Sequence, residues 1–462
     1  MSERSPGIKL LLVGLVALLL TIPLFMVYAL VSDRESQSYT AQAAITAGWG
    51  GAQVVSGPVL VVPYTRTSTE TETVEGQQRT RTVEFREELY LSPLTHHATA
   101  KLTPERRGYS IYASVIYRAA LAGSARFQLP ADLERLGVER ERLLLDQAEL
   151  RFGVSDPRGL QTDARVTVDG RKVELQPGKG LASTSGAGFH GFLGWNGEPL
   201  TVQYAYGLRG SRSLALVPRG GNTEWEVTSP WPHPSFGGSF LPEHKTVSDK
   251  GFPARYGVPN LALGQALAMT ADPGPPVFDM LGDASVPPVA AVDGGQGGVS
   301  QAATIGLIEP VDLYSQVDRS VKYGFLFIGF TFLAFFMFDV VGGARVATAE
   351  YLLTGAGLVL FFVLLLAFAE VIGFAWAYVV ASAAVIGLLT AYSAAVLRSR
   401  KRAGFIGALL VGLYALIYVL LSLEALSLVI GSVLLFLALA GVMYATRNVD
   451  GSRVGRTEAE AV

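Results

Sequence analysis

The stretch V-K-Y-G-F-L-F-I-G-F-T-F-L-A-F-F-M-F-D-V-V, residues 321–341, is almost wholly aliphatic and aromatic, with Lys322 near its start and Asp339 near its end. A helix of about 20 apolar residues, rising about 1.5 Å per residue, is long enough to cross a hydrocarbon core of about 30 Å. Working outward, four comparable runs follow at 351–372, 374–397, 403–423 and 426–445, and one precedes at 8–31. The expected fold class is therefore a polytopic α-helical membrane protein with six transmembrane helices. Val27-Tyr28-Ala29 looks like a weak signal cleavage site. The apolar stretch before it exceeds the usual h-region of about 7 to 15 residues, so a signal anchor is the expectation.

Composition agrees with this reading. Half of the residues are hydrophobic, 16% are charged and the net charge is −2, which argues against nucleic acid as a partner and for the lipid bilayer. Between the first two runs lies a polar region far too long for a loop. The expected organisation is an anchor helix (residues 1–31), an extracytoplasmic domain (32–320), a bundle of five helices (321–446) and a tail (447–462).

Lysine and arginine set the orientation. With the N-terminus inside, the inner segments hold Arg4 and Lys9, then Arg345, then Arg398 to Arg402, then Arg447, Arg453 and Arg456. The outer turns near Gly373 and Glu424 carry no basic residue. Both termini are thus expected in the cytoplasm and the large domain outside, in the periplasm of a cell with two membranes. No cysteine occurs, so that domain has to be held together by its core alone.

The domain reads as β-rich and antiparallel. Residues 166–175 alternate around Asp169-Gly170, a type I′ hairpin signal. Residues 57–63 form a short apolar strand, and 200–217 supply two more, broken at 207–213. The run T-E-T-E-T-V-E-G-Q-Q-R-T-R-T, beginning at Thr69, suggests a solvated ribbon turning at Gly76-Gln77. That turn places Glu72 opposite Arg81, and Thr71 and Thr73 opposite Thr82 and Thr80. A short helix is expected at 130–136, a continuation of the anchor helix at 39–49, and an irregular loop at 271–298.

Chemical motifs are sparse. No Walker loop, G-x-S-x-G elbow, H-E-x-x-H or cysteine nucleophile is present. His96 and His97 are neighbours on a strand and point to opposite faces, which disfavours shared metal ligation. His233 and His244 lack carboxylates at ligand spacing, so no catalytic residue, metal or cofactor is expected. The stretch S-P-W-P-H-P-S-F from Ser229 alternates proline with other residues and cannot lie inside a helix or a central strand. Trp231, Pro232, His233, Pro234 and Phe236 either present a surface to a partner or pin Trp231 and Phe236 into the core. Asp339 and Glu370 lie in or near apolar runs, where carboxylates are costly and are by default functional candidates.

In sequence words the chain resembles the CreD family of bacterial inner-membrane proteins. The resemblance rests on G-P-V-L-V-V-P at Gly57, W-P-H-P-S-F at Trp231, F-L-P at Phe240, P-V-D-x-Y at Pro310, R-S-V-K-Y-G-F-L-F-I at Arg319, Y-L-L-T-G at Tyr351 and T-R-N-V-D at Thr446. Where the family shows S-E-H-x-G-F, this chain has A-E-V-I-G-F from Ala369, keeping Glu370 without the histidine. The resemblance implies a cell envelope integrity protein linked to envelope stress, including responses to β-lactams and colicins, and it supplies no catalytic residue. The expected function is a non-enzymatic envelope integrity factor acting through its periplasmic domain on an unidentified envelope partner. A small-solute transporter or channel using Glu370 and Asp339 is the alternative, and an envelope-modifying hydrolase the third. The oligomeric state stays open.

Overall fold

The computed structural model describes residues 6–74, 77–109, 112–277, 298–307, 313–340 and 347–422, with the helical positions 432, 433, 436, 440 and 443. The chain divides into a β unit, Tyr39–Pro310, and a helical unit made of Met1–Ser38 and Val311–Val462. Helix α1 (Pro6–Ala47) begins in the apolar run and continues past it through a polar segment, as the sequence suggests.

In chain order the strands begin with β1 (Gln53–Val74), β2 (Gln77–Leu91), β3 (Thr95–Tyr109), β4 (Tyr112–Phe127) and β5 (Ala148–Val154). Then come β6 (Arg165–Val168), β7 (Arg171–Lys172), β8 (Gln176–Pro177), β9 (Gly188–Leu193), β10 (Leu200–Ser211) and β11 (Ser213–Val217). The remainder are β12 (Asn222–Ser229), β13 (Pro234–Gly238), β14 (His244–Lys245), β15 (Phe252–Pro259), the single-turn helix α2 (Asn260–Leu263), β16 (Ala268–Met269) and β17 (Ala303–Leu307). One sheet runs β13-β17-β11-β1-β5-β9-β8, with β2 added to β1 and β16 to β2. The other runs β14-β15-β12-β3-β4-β10-β6-β7.

Strands such as β12 and β15 alternate buried and more exposed positions, β5 is buried throughout, and the inner faces of the two sheets share one core. Leu60, Leu89, Leu150 and Phe152 come from the first sheet, and Tyr117, Val202, Tyr204, Trp225 and Tyr256 from the second. Phe152 stacks on Phe189 at 4.8 Å within its own sheet and meets Tyr204 of the other edge-on at 5.5 Å. Burial on this scale holds the unit together in a chain without cysteine.

The sheets are mixed, which corrects the purely antiparallel expectation. β1 pairs β11 in parallel and β12 pairs β3 in parallel. Each parallel pair joins segments far apart in the chain through a long crossover, and local hairpin signals carry no information about such pairs. The Asp169-Gly170 hairpin is present, with both residues at positive φ and Val168 facing Arg171. The strand break lies at Arg212, itself at positive φ, rather than across 207–213. Of residues 130–136, Leu133–Leu136 form a 3-10 turn.

The ribbon forms in a different register. Val74 faces Gln77, Glu72 faces Arg79, Thr71 faces Thr80 and Glu70 faces Arg81, so the turn falls one residue earlier than expected. Because glutamate and threonine alternate against arginine and threonine, a slip of two residues leaves the same kinds of cross-strand pair and the pattern cannot choose between them. Most of the expected loop 271–298 lies outside the described residues.

The helical unit continues with α3 (Leu313–Lys322), α4 (Gly324–Val340), α5 (Thr348–Ile372), α6 (Phe374–Val396) and α7 (Arg400–Ser422). Five apolar segments among the described residues are long enough to cross a membrane: Ile8–Ala47, Leu313–Phe336, Thr348–Ile372, Phe374–Val396 and Arg400–Val419. The second begins earlier than the expected 321–341, because the turn at Tyr323 joins α3 to α4 in one span. The sixth expected span, 426–445, lies outside the described residues apart from isolated helical positions. Within the bundle, Phe327 and Phe361 pack on Tyr414 at 4.5 and 4.6 Å. The Tyr378 hydroxyl donates to the Tyr414 carbonyl at 2.8 Å.

Candidate functional site: an open sheet face

The proline-framed stretch is anchored inward. Trp231 is buried, its indole Nε1 donates to the His233 carbonyl at 3.1 Å, and its backbone N–H donates to Ser229 Oγ at 3.2 Å. Pro234 opens β13 at the edge of its sheet, where a missing N–H is tolerated, and Pro232 lies half-buried between the two. Phe236 packs edge-on against Phe252 at 5.5 Å, while the His233 ring is exposed.

The other histidines divide by strand alternation. His96 is fully buried, with Nε2 2.9 Å from the Tyr204 hydroxyl, and burial, helped by neighbouring His97, pushes its pKa down to about 4. His97 points the other way and lies 3.2 Å from Glu224. Among the described residues no three His, Asp, Glu or Cys side chains gather as metal ligands.

Two carboxylates do converge, on the outer face of the first sheet. Arg151 donates from Nε to Glu149 at 3.1 Å and from its terminal nitrogens to Glu88, and Lys179 donates to Glu149 at 2.7 Å. Tyr90 donates to Glu88 at 2.6 Å. Burial raises the Glu88 pKa, but the hydrogen bonds from Arg151 and Tyr90 outweigh it and hold the carboxyl below its usual range. Both carboxylates are engaged by cations, so the cluster works as an ion-paired buttress.

The open feature is the outer face of the second sheet. Across β12, β3, β4 and β10 the register aligns Glu226, Thr99, Ala122 and Ala205 in one row, and Thr228, Lys101, Ala120 and Gly207 in the next. Small side chains in the middle of both rows sink the floor, while longer ones stand at its sides. The result is a concavity of about 420 Å³, with Asp163 on its wall holding the Gly207 N–H at 3.2 Å. Its lining offers hydroxyls, a lysine and two carboxylates.

The row beyond contains Thr103, Arg118 and Arg209. Trp49, just past the end of α1, lies against it, with the guanidinium carbons of Arg107, Arg118 and Arg209 at 4.9, 5.5 and 4.9 Å from its ring centroid. Its indole Nε1 donates to the Tyr117 carbonyl at 3.2 Å. None of these residues stood out in the sequence. The only local signal was the alternation of small residues with Leu121 and Tyr206 in A-A-L-A-G at 119–123 and A-Y-G at 205–207, which is legible as a floor only once the strands are paired.

In the helical unit Glu370 lies in the last turn of α5, half-buried, and accepts a hydrogen bond from the Tyr314 hydroxyl at 3.2 Å. The hydroxyl of Tyr378 donates to the Tyr414 carbonyl and not to Glu370. Asp339 falls in the last turn of α4, and its side chain lies outside the described residues.

Apolar helices long enough to cross a membrane, joined to a large β-rich unit, define a multi-pass membrane protein with a β domain. Residues 5–452 match the family described as inner membrane protein CreD. A relative, inner membrane protein CreD of Escherichia coli (strain K12), is 31% identical over 443 residues, covering 94% of this chain and 91% of that one. The chain belongs to the CreD family of inner membrane proteins. Among solved structures, the M1 zinc metallopeptidase from Deinococcus radiodurans is 9% identical with a TM-score of 0.20, covering 47% of this chain and 42% of its own. Yeast LTA4 hydrolase in complex with bestatin is 13% identical with a TM-score of 0.17, covering 36% and 26%. Likenesses at that level carry no argument.

Proposed function

We propose that this protein is a non-enzymatic envelope integrity factor, held in the inner membrane by its helices, with both termini in the cytoplasm and the β unit in the periplasm. On this reading the concave face of the second sheet holds a polar envelope partner. The observation that carries it is the open floor formed by Ala120, Ala122, Ala205 and Gly207 between polar side chains. The basic residues of the expected inner segments support the orientation. The test is Ala122→Arg, which fills the floor without entering the core. It should abolish rescue of an envelope-stress phenotype in a strain lacking its own family member, with expression and thermal stability unchanged. Full rescue by that variant would overturn the reading.

A transporter is the second reading, and the Tyr314 to Glu370 hydrogen bond in the helical unit favours it, because a held carboxylate within a bundle is a natural ion or proton site. The third reading, a hydrolase, gains no support from Glu88 and Glu149, which Arg151 already occupies.

A further inference from the structure

We propose that Trp49, Arg107, Arg118 and Arg209 form a binding site for an oxyanion of the phosphate type. Three solvated arginines on a protein surface would be ordinary by themselves. Here all three converge on one indole, and the distances to its centroid keep any two guanidinium carbons within about 10 Å of each other, close to the screening length of about 8 Å at physiological salt. Arg118 and Arg209 also stand directly opposite each other on neighbouring antiparallel strands, a placement that is unfavourable for like charges.

Several exposed arginines of this domain are paired with acids, among them Arg66 with Glu87, Arg142 with Glu139, Arg158 with Asp156 and Arg255 with Glu224. Others such as Arg126 and Arg165 stand apart in solvent, so it is the convergence on one ring that marks the cluster. Among the described residues no carboxylate lies within ion-pair distance of Arg107, Arg118 or Arg209. The ring offsets part of the repulsion, since its faces attract cations. It also fixes the cluster, because the Nε1 bond to the Tyr117 carbonyl holds the indole in place. What remains is a preformed set of planar donor forks without an acceptor, and tetrahedral oxyanions match such forks through paired hydrogen bonds. The adjoining Lys101 continues the positive charge onto the concave face. The inference does not depend on which side of the membrane the β unit occupies, so it can fail without the proposed function failing, and the reverse.

Phosphate chemistry reaches such a site either from a soluble phosphorylated compound or from an anionic lipid headgroup. The full-length protein in phosphatidylcholine nanodiscs is labelled with phenylglyoxal, with and without pyrophosphate at matched ionic strength, and arginine modification is read by peptide mass spectrometry. A parallel sample uses phosphatidylglycerol nanodiscs without added phosphate. The proposal expects labelling of Arg118 and Arg209 to slow at least tenfold in one arm, with Arg255 unchanged, and the protecting arm identifies the source. The double variant Arg118→Gln, Arg209→Gln should weaken binding of the protecting anion about a hundredfold, the loss expected for two charged hydrogen bonds, whereas Arg118→Lys should retain part of it. No protection in either arm, or equal protection of Arg255, overturns the proposal.

Discussion

Trp231 donates its indole N–H to the backbone carbonyl of His233, two residues further along the same proline-framed stretch. The ring is thereby buried and satisfied by its own segment, and His233 is left facing solvent. The prolines keep the two residues in the extended geometry that this bond requires. Trp231→Ala should therefore destabilise the β unit by about 3 to 5 kcal/mol, while His233→Ala should stay within about 0.5 kcal/mol. Denaturant unfolding of the purified protein measures both. A stable Trp231→Ala protein that loses an envelope phenotype would return the motif to a partner-presenting role.

Fusions to a reporter active only in the periplasm test the orientation. Activity is expected after Thr201 and near Glu424, and none after Arg400, because the basic residues of 398–402 hold that loop inside. Activity at Arg400 would reverse the assignment.

Acid should act through His96. Its pKa is near 4 in the fold against an ordinary value near 6.5, so the unfolded chain binds the extra proton more readily. The corresponding stability is fully present above about pH 6.5 and is lost as pH falls toward 4, on the order of 3 kcal/mol for a shift of this size. Thermal unfolding between pH 7 and pH 4 should show this slope for the native chain and a flatter one for His96→Asn. Equal slopes would mean that other groups govern the acid response.

Glu370→Gln separates the structural and transport readings of that carboxylate. The amide still accepts from the Tyr314 hydroxyl, so expression and stability should be kept within about 1 kcal/mol. Under the envelope-factor reading phenotypic rescue is kept as well. Loss of rescue in a stably expressed variant would favour a proton or ion carrier.

Much of the architecture was legible because its signals are local. The apolar runs mark the spans, Asp169-Gly170 marks its hairpin, and the helical continuation through Tyr39 needs no distant partner. The ribbon was legible as a ribbon but not in register, since Glu72 finds an arginine at either Arg79 or Arg81. Long-range pairing was not legible at all. Gln53 beside Leu214 and Thr95 beside Asn222 are parallel contacts made across more than a hundred residues of chain. The concave face depends on that pairing, for Ala122 and Ala205 become neighbours only when β4 meets β10. For the same reason the arginines around Trp49 read in the sequence as three unrelated surface charges.

The central claim is that the open face of the second sheet binds an envelope component outside the inner membrane, and crosslinking in intact cells tests it most directly. A photoreactive residue is placed at Ala122 on the floor or, as a control, at exposed Asp249 on another part of the β unit. The account predicts that Ala122 captures a discrete envelope species that Asp249 does not. Capture of a cytoplasmic species at Ala122, or identical patterns from the two positions, would contradict it.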